Sequence, residues 1–237
     1  MKHKCSEGLC RHRKINMVIT HVVRILLVAI FIRGIIENDH SQDFIIIITF
    51  LLTLYPYILE KKFGVYLPCR LQITITLFIF AAQYLGEMRG FYELIPWWDT
   101  ILHTTSGVIL GVIGFMFVYL FNEKGNKNMN LSPLFVVLVA FCFSMTMAVF
   151  WEFFEFSMDR LFELNMQKFR LDGQDGLVDT MIDLLVAMIG TIIASIGGYI
   201  YMKKKNDVLL KEYFDDWFKE NKKDKMQNIS TEKKILM

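Results

Sequence analysis

Cysteine is scarce in this sequence, with four copies in 237 residues, at Cys5, Cys10, Cys69 and Cys142. None forms a Cys-x-x-Cys pair, which excludes the common zinc-ribbon and dithiol redox motifs, and the wide spacing gives no disulfide framework. The amino-terminal set His3, Cys5, Cys10 and His12 has zinc-compatible residue types. Its spacing matches no closed structural site, so residues 1–14 read as a basic tail. Excess charge is missing too. Lys and Arg number 26 against 24 Asp and Glu, a net charge of +2, which gives a nucleic-acid partner no overall electrostatic support. A cleavable leader is not indicated either. The basic start is followed by an apolar run that is too long, is interrupted by Arg24 and lacks an Ala-x-Ala-like exit, so it reads as a retained first span.

What the chain has in quantity is apolar surface. Fully 54% of residues are hydrophobic and 14% aromatic, with 21 Phe, and this suits a bilayer better than a water-soluble core. A helix needs about 20 mostly apolar residues to cross about 30 Å of hydrocarbon. Six stretches approach that length: Ile15 to Ile36, Phe44 to Leu59, Leu67 to Gly86, Thr100 to Phe121, Leu134 to Phe156 and Leu177 to Met202. The expected architecture is therefore all-α, a bundle of six transmembrane helices over residues 15–202. Basic residues sort by side. Lys2, Lys4, Arg11, Arg13 and Lys14 precede the first span, and Lys61, Lys62 and Arg70 fall in the second connection. Lys124 and Lys127 fall in the fourth, and Lys203, Lys204 and Lys205 open the tail, whereas Glu37 to Asp43 has no Lys or Arg. By the positive-inside rule both termini are expected in the cytoplasm, although Arg160, Lys168 and Arg170 in the fifth connection run against it. In residues 203–237, Leu209, Leu210, Tyr213, Phe214, Trp217 and Phe218 recur at helical spacing, as in an amphipathic helix on the inner membrane face.

Against this apolar background three short stretches stand out. Asp99 and His103 open the fourth span, Glu152 and Glu155 come late in the fifth, and Asp179 and Asp183 open the sixth. Each pair is three or four residues apart, so its members share a helix face. Direction of travel decides depth. The fourth and sixth spans run inward and the fifth outward, so all three pairs are expected at one level, in the outer leaflet. An ionisable group at membrane depth costs about 2.5–3.5 kcal/mol on insertion scales. Five carboxylates face one imidazole, so either some of the acids are held protonated or a divalent cation, Mg²⁺, Mn²⁺ or Zn²⁺, sits among them, ligated by Asp99, His103, Glu152, Glu155, Asp179 and Asp183. Such an ion would engage the polar head group of an envelope lipid, with His103, Glu152 and Glu155 the candidates for any catalytic role. Two other classes stay open: a proton- or cation-coupled transporter, and a structural or partner-binding protein in which the cluster only fixes helix packing. Arg33 is a candidate cation for these acids, or a side chain that snorkels to head groups. Trp97 and Trp98 read as interface anchors. Gly107, Gly111 and Gly114 read as a face for close helix approach.

These motifs resemble the YjdF-like family of bacterial inner-membrane proteins, a domain of unknown function. The likeness lies in Asp99 and His103, the Glu-x-x-Glu pair at Glu152 and Glu155, and the Gly-x-x-Asp-Thr-x-x-Asp run at Gly176, Asp179, Thr180 and Asp183. Small residues follow at Ala187, Gly190 and Ala194. It covers about residues 85–198 and implies a multi-pass protein of the bacterial plasma membrane, without an established activity.

Overall fold

The computed structural model describes residues 7–38, 43–55, 58, 62, 67–124, 131–163, 165–167 and 176–204. The amphipathic stretch after Lys204 and the side chains of the amino-terminal His and Cys set lie outside what is described. Among the described residues every regular element is helical: α1 Glu7–Glu37, α2 Asp43–Leu52, α3 Cys69–Ile79, α4 Phe91–Leu94, α5 Trp98–Lys124, α6 Pro133–Phe162 and α7 Gly176–Lys204. The turn after α3 continues as a π-helical segment, Phe80–Met88. Among the described residues five stretches are long and apolar enough to cross a membrane, Ile15–Glu37, Arg70–Met88, Trp98–Val118, Pro133–Phe162 and Gly176–Lys203. The chain is a polytopic all-α membrane protein.

The second expected span is described in part: α2, a turn, and helical residues again at Tyr55, Ile58 and Lys62. Its described helix has 10 residues, about 15 Å or half the hydrocarbon thickness. A turn follows at Thr53 and Leu54, and Tyr55 is helical again. A helix ending amid apolar surroundings leaves carbonyls to satisfy. Arg24 of α1 does this, donating from Nε to Thr53 Oγ1 at 3.0 Å and from Nη2 to the Thr53 carbonyl at 2.7 Å. α1 also begins earlier than the apolar run, at Glu7, so half of the expected tail continues the helix.

The chain divides into two compact units, Met1–Arg89 with Val208–Met237, and Gly90–Asp207. In the first, Val23, Leu27, Ile46 and Met88 form a buried core, with Phe31, Phe50, Phe80 and Tyr84 packed against it. Its polar side chains serve one another. Asn16 donates to Gln72, Gln72 donates to the Leu67 carbonyl at 2.9 Å, and Tyr55 donates to the Gln72 carbonyl at 3.0 Å. His21 is exposed and bonded to its own turn at Met17. Arg33 is exposed and pairs with Glu37 at 2.8 Å, one turn along α1.

The second unit is three long helices, α5, α6 and α7, with the single turn α4 packed on the start of α5 through an edge-to-face contact of Phe91 with Trp98. Ser132 caps α6 by accepting from the Phe135 amide, with Pro133 at the first helical position. Leu134, Phe135, Leu138, Phe150 and Phe153 point outward and are exposed, as lipid-facing residues should be. Inward, each helix carries one stripe at four-residue spacing. On α6 it is Ala140, Ser144, Ala148 and Glu152; on α7 it is Asp179, Asp183, Ala187 and Thr191. Between helices in lipid, close van der Waals approach replaces the hydrophobic drive, and small residues permit it. A Cβ at Gly107 would lie 2.1 Å from the Ala187 carbonyl oxygen, and one at Gly190 would lie 2.0 Å from that of Thr104. The two glycines thus let α5 and α7 touch backbone to backbone. Ser144 of α6 closes the junction, 2.7 Å from Thr191 Oγ1 and donating to the Gly107 carbonyl at 3.2 Å.

Candidate functional site

One turn from that junction the three stripes turn ionisable. Asp99 and His103 stand in the first two turns of α5, and Asp179 and Asp183 in the first two turns of α7. Glu152 is not in the last turn of its helix. No breaker interrupts the run after Phe156, and α6 continues to Phe162, where Glu163 takes a left-handed conformation at φ 54°. With 30 residues, α6 is about 45 Å long and runs on past the level at which Glu152 stands beside His103.

The imidazole is the hub. His103 Nε2 lies 3.4 Å from Asp99 Oδ1 and 3.9 Å from Asp183 Oδ2, while its Nδ1 lies 3.7 Å from Glu152 Oε1. One ligand atom from each of Asp99, His103 and Asp183 falls within 4.8 Å of the others, a group that could hold a metal ion. Asp183 is 2% exposed and Glu152 3%. Asp183 Oδ2 and Glu152 Oε2 are buried with no hydrogen-bond partner among the described residues. These separations exceed a normal hydrogen bond. The edge of a tetrahedron of ligands each about 2.1 Å from a central ion is roughly 3.4 Å, so the same spacing suits donors sharing an ion.

Six side chains were expected in the cluster, and they take different places. Asp99, His103 and Asp183 converge. Glu152 faces the opposite ring nitrogen. Glu155 is buried outside the trio and accepts from Trp151 Nε1 at 2.8 Å, and Asp179 is buried one turn nearer the start of α7. Trp97 is exposed, as an interface anchor would be, whereas Trp98 is half-buried against Phe91.

Three residues around the site carry no periodic signal in the sequence. Asp159, near the end of α6, accepts from the Met166 amide at 2.6 Å and the Gln167 amide at 2.9 Å. Gln167 Nε2 in turn donates to Thr180 Oγ1 at 2.8 Å. Thr180 stood between the two aspartates of a recognised motif, but nothing in the linear pattern gave it a partner.

An uncharacterised protein from Thermotoga maritima is 29% identical over 195 residues, covering 82% of this chain and 92% of that protein. No solved structure matches. The motif likeness to the YjdF-like family agrees with a family model that matches residues 19–204, past the motif region and into the first span, and the chain belongs to that family, described as predicted membrane protein, DUF2238.

Proposed function

We propose that Asp99, His103 and Asp183 hold a divalent cation, through which this membrane protein engages the polar head group of an envelope lipid. What carries the reading is the trio itself. Three donors from two helices are spaced for a shared ion, and the nearly buried Asp183 keeps Oδ2 without a hydrogen-bond partner. Five acids against one imidazole is a charge imbalance that apolar surroundings penalise and a divalent cation relieves. One nitrogen with two carboxylates suits Zn²⁺ or Mn²⁺ better than Ca²⁺, and leaves positions for Mg²⁺-like hydration or for an incoming phosphoryl oxygen. When bound, the ion would polarise such an oxygen as a Lewis acid. Glu152 and Glu155, close by but outside the trio, are the carboxylates left for proton transfer.

A transporter reading has less support. Residues 104–121, 134–151 and 184–198 contain no Asp, Glu, Lys, Arg or His, so no chain of ionisable groups continues along the three helices away from the trio. The structural reading does find support in the Ser144–Thr191–Gly107 junction, which holds the helices together without charge.

Elemental analysis of detergent-purified protein separates these readings. Wild type should carry about one equivalent of divalent metal per chain, and His103→Ala and Asp183→Asn should carry almost none while remaining folded. Metal-free wild type that stays folded, and is no more stable with added Mn²⁺ or Zn²⁺, would sink the cation centre and leave the packing role.

A further inference from the structure

We infer that Asp159, Gln167 and Thr180 form a strut between α6 and α7 that fixes the position of Asp183 and so makes the trio selective for a small divalent cation over Ca²⁺. Resting on the cation reading, this assigns the selectivity of that site to three residues that touch no ion. Every link of the strut is a hydrogen bond present in the structure. Asp159, one turn beyond Glu155 on α6, accepts from the Met166 amide at 2.6 Å through Oδ1 and from the Gln167 amide at 2.9 Å through Oδ2. The segment is held to α6 by its backbone, which leaves the Gln167 side chain to reach α7. Its Nε2 donates to Thr180 Oγ1 at 2.8 Å. Its Oε1 lies against Gly176, where an added Cβ would stand 3.4 Å away.

The trio is built so that one separation matters. Asp99 and His103 are four residues apart on α5, so the geometry of a single helix sets their relation. Asp183 comes from α7, and its distance from the other two depends on how firmly α7 is seated. It is seated on both sides of Asp183. One turn inward, Ala187 meets α5 at Gly107, where an added Cβ would stand 2.1 Å from the Ala187 carbonyl oxygen. Nearly one turn outward, Thr180 is tied through Gln167 and Asp159 to α6. An aspartate bracketed in this way has little room to retreat and enlarge the site. Zn²⁺, a small ion, takes carboxylate oxygens at about 2.0–2.2 Å, whereas Ca²⁺ takes about six to eight oxygens at about 2.3–2.6 Å in a flexible shell. A rigid trio therefore favours the smaller ion, and cutting the strut weakens that preference while the backbone contact at Gly107 keeps the helices packed. Asp159, Gln167 and Thr180 are positioning residues acting through Asp183.

The test uses the full chain in detergent micelles, with Mn²⁺ as the small-ion probe, followed by electron paramagnetic resonance and displaced by Ca²⁺. Thr180→Val keeps the shape of the side chain and removes the acceptor, and Gln167→Ala removes the donor. Each should lower Mn²⁺ affinity about 10- to 100-fold, the range for outer-shell partners, and Ca²⁺ affinity by less than about twofold, so the preference for Mn²⁺ falls about fivefold or more. Thr180→Ser restores the hydroxyl and should restore the preference. The ratio of the two affinities is the readout that a general loosening of the fold leaves in place. In cation-free protein, hydrogen exchange at the start of α7 should be faster than wild type in Thr180→Val and Gln167→Ala, and unchanged in Thr180→Ser. Should Thr180→Val fail to fold, Gln167→Ala, on the segment outside the helices, carries both measurements. Wild type that binds Mn²⁺ while the variants keep its preference over Ca²⁺, or variants whose exchange matches wild type, overturns the strut and leaves the cation centre standing. Wild type that binds no Mn²⁺ overturns the centre, and the selectivity with it.

Discussion

The two units bury polar side chains in opposite ways. In Met1–Arg89 they are mostly neutral amides and hydroxyls, and the half-buried cation Arg24 spends donors on Thr53 just after α2. In Gly90–Asp207 the corresponding positions are acids, turned toward one imidazole and toward each other at distances too long for hydrogen bonds. Most of the first unit's polar groups find partners on that unit's own helices, with Asn16 Oδ1 and Thr76 Oγ1 the buried exceptions among the described residues. Acids that converge without completing one another leave a requirement that something outside the chain can meet. On this ground the second unit, and not the first, is read as the functional one.

The comparison breaks most severely at the backbone contact that brings the acids together. Gly190→Leu would drive a side chain into the Thr104 carbonyl, and because the obstacle is backbone its cost should exceed the usual 1–3 kcal/mol of overpacking, about enough to abolish a folded monomer on size-exclusion chromatography. Removal of the cation ranks next. On the cation reading, a chelator should lower the thermal midpoint of wild type, through loss of about 2.7 kcal/mol of linkage stabilisation for an ion present at a hundred times its Kd, and should leave Asp183→Asn unmoved.

In the first unit, Arg24→Met should cost about 1–2 kcal/mol, the scale of interhelical hydrogen bonds in membranes, and this loss should be the same with or without chelator. A chelator-dependent loss there would erase the contrast between the units. Ser144→Ala removes a neutral hydroxyl from the second unit's junction and should cost about 0.6–1.7 kcal/mol by unfolding in mixed micelles. The smallest effect belongs to Arg33→Gln. Its partner Glu37 is exposed with it, so neither metal content nor thermal midpoint should change measurably.

Much of this was legible in advance because lipid imposes a simple rule on sequence. Helices that cross must be apolar and about 20 residues long, so α1, α5, α6 and α7 declare themselves. Same-face spacing likewise exposed Asp99 with His103 and Asp179 with Asp183, since rise and twist are properties of a single helix. Within the second span an apolar count does not register the turn at Thr53, where Arg24 of α1 supplies donors from a separate helix. The end of α6 was set too early because Phe156 closes the apolar run without closing the helix. Within the site, periodicity placed six ionisable residues on inward faces but could not rank them. Trp151 diverts Glu155, and His103 has Glu152 on one nitrogen and two aspartates on the other, which are relations between helices.

By itself, the sequence determined that this chain lives in a bilayer, where its acids sit along each helix and which faces they share, because those follow from local geometry and the cost of charge in hydrocarbon. The tertiary structure decided which acids meet. Gly107 and Gly190 allow α5 and α7 to touch, Glu152 of α6 packs alongside His103, and the distance between donors on separate helices is set by that packing and by no spacing within the chain.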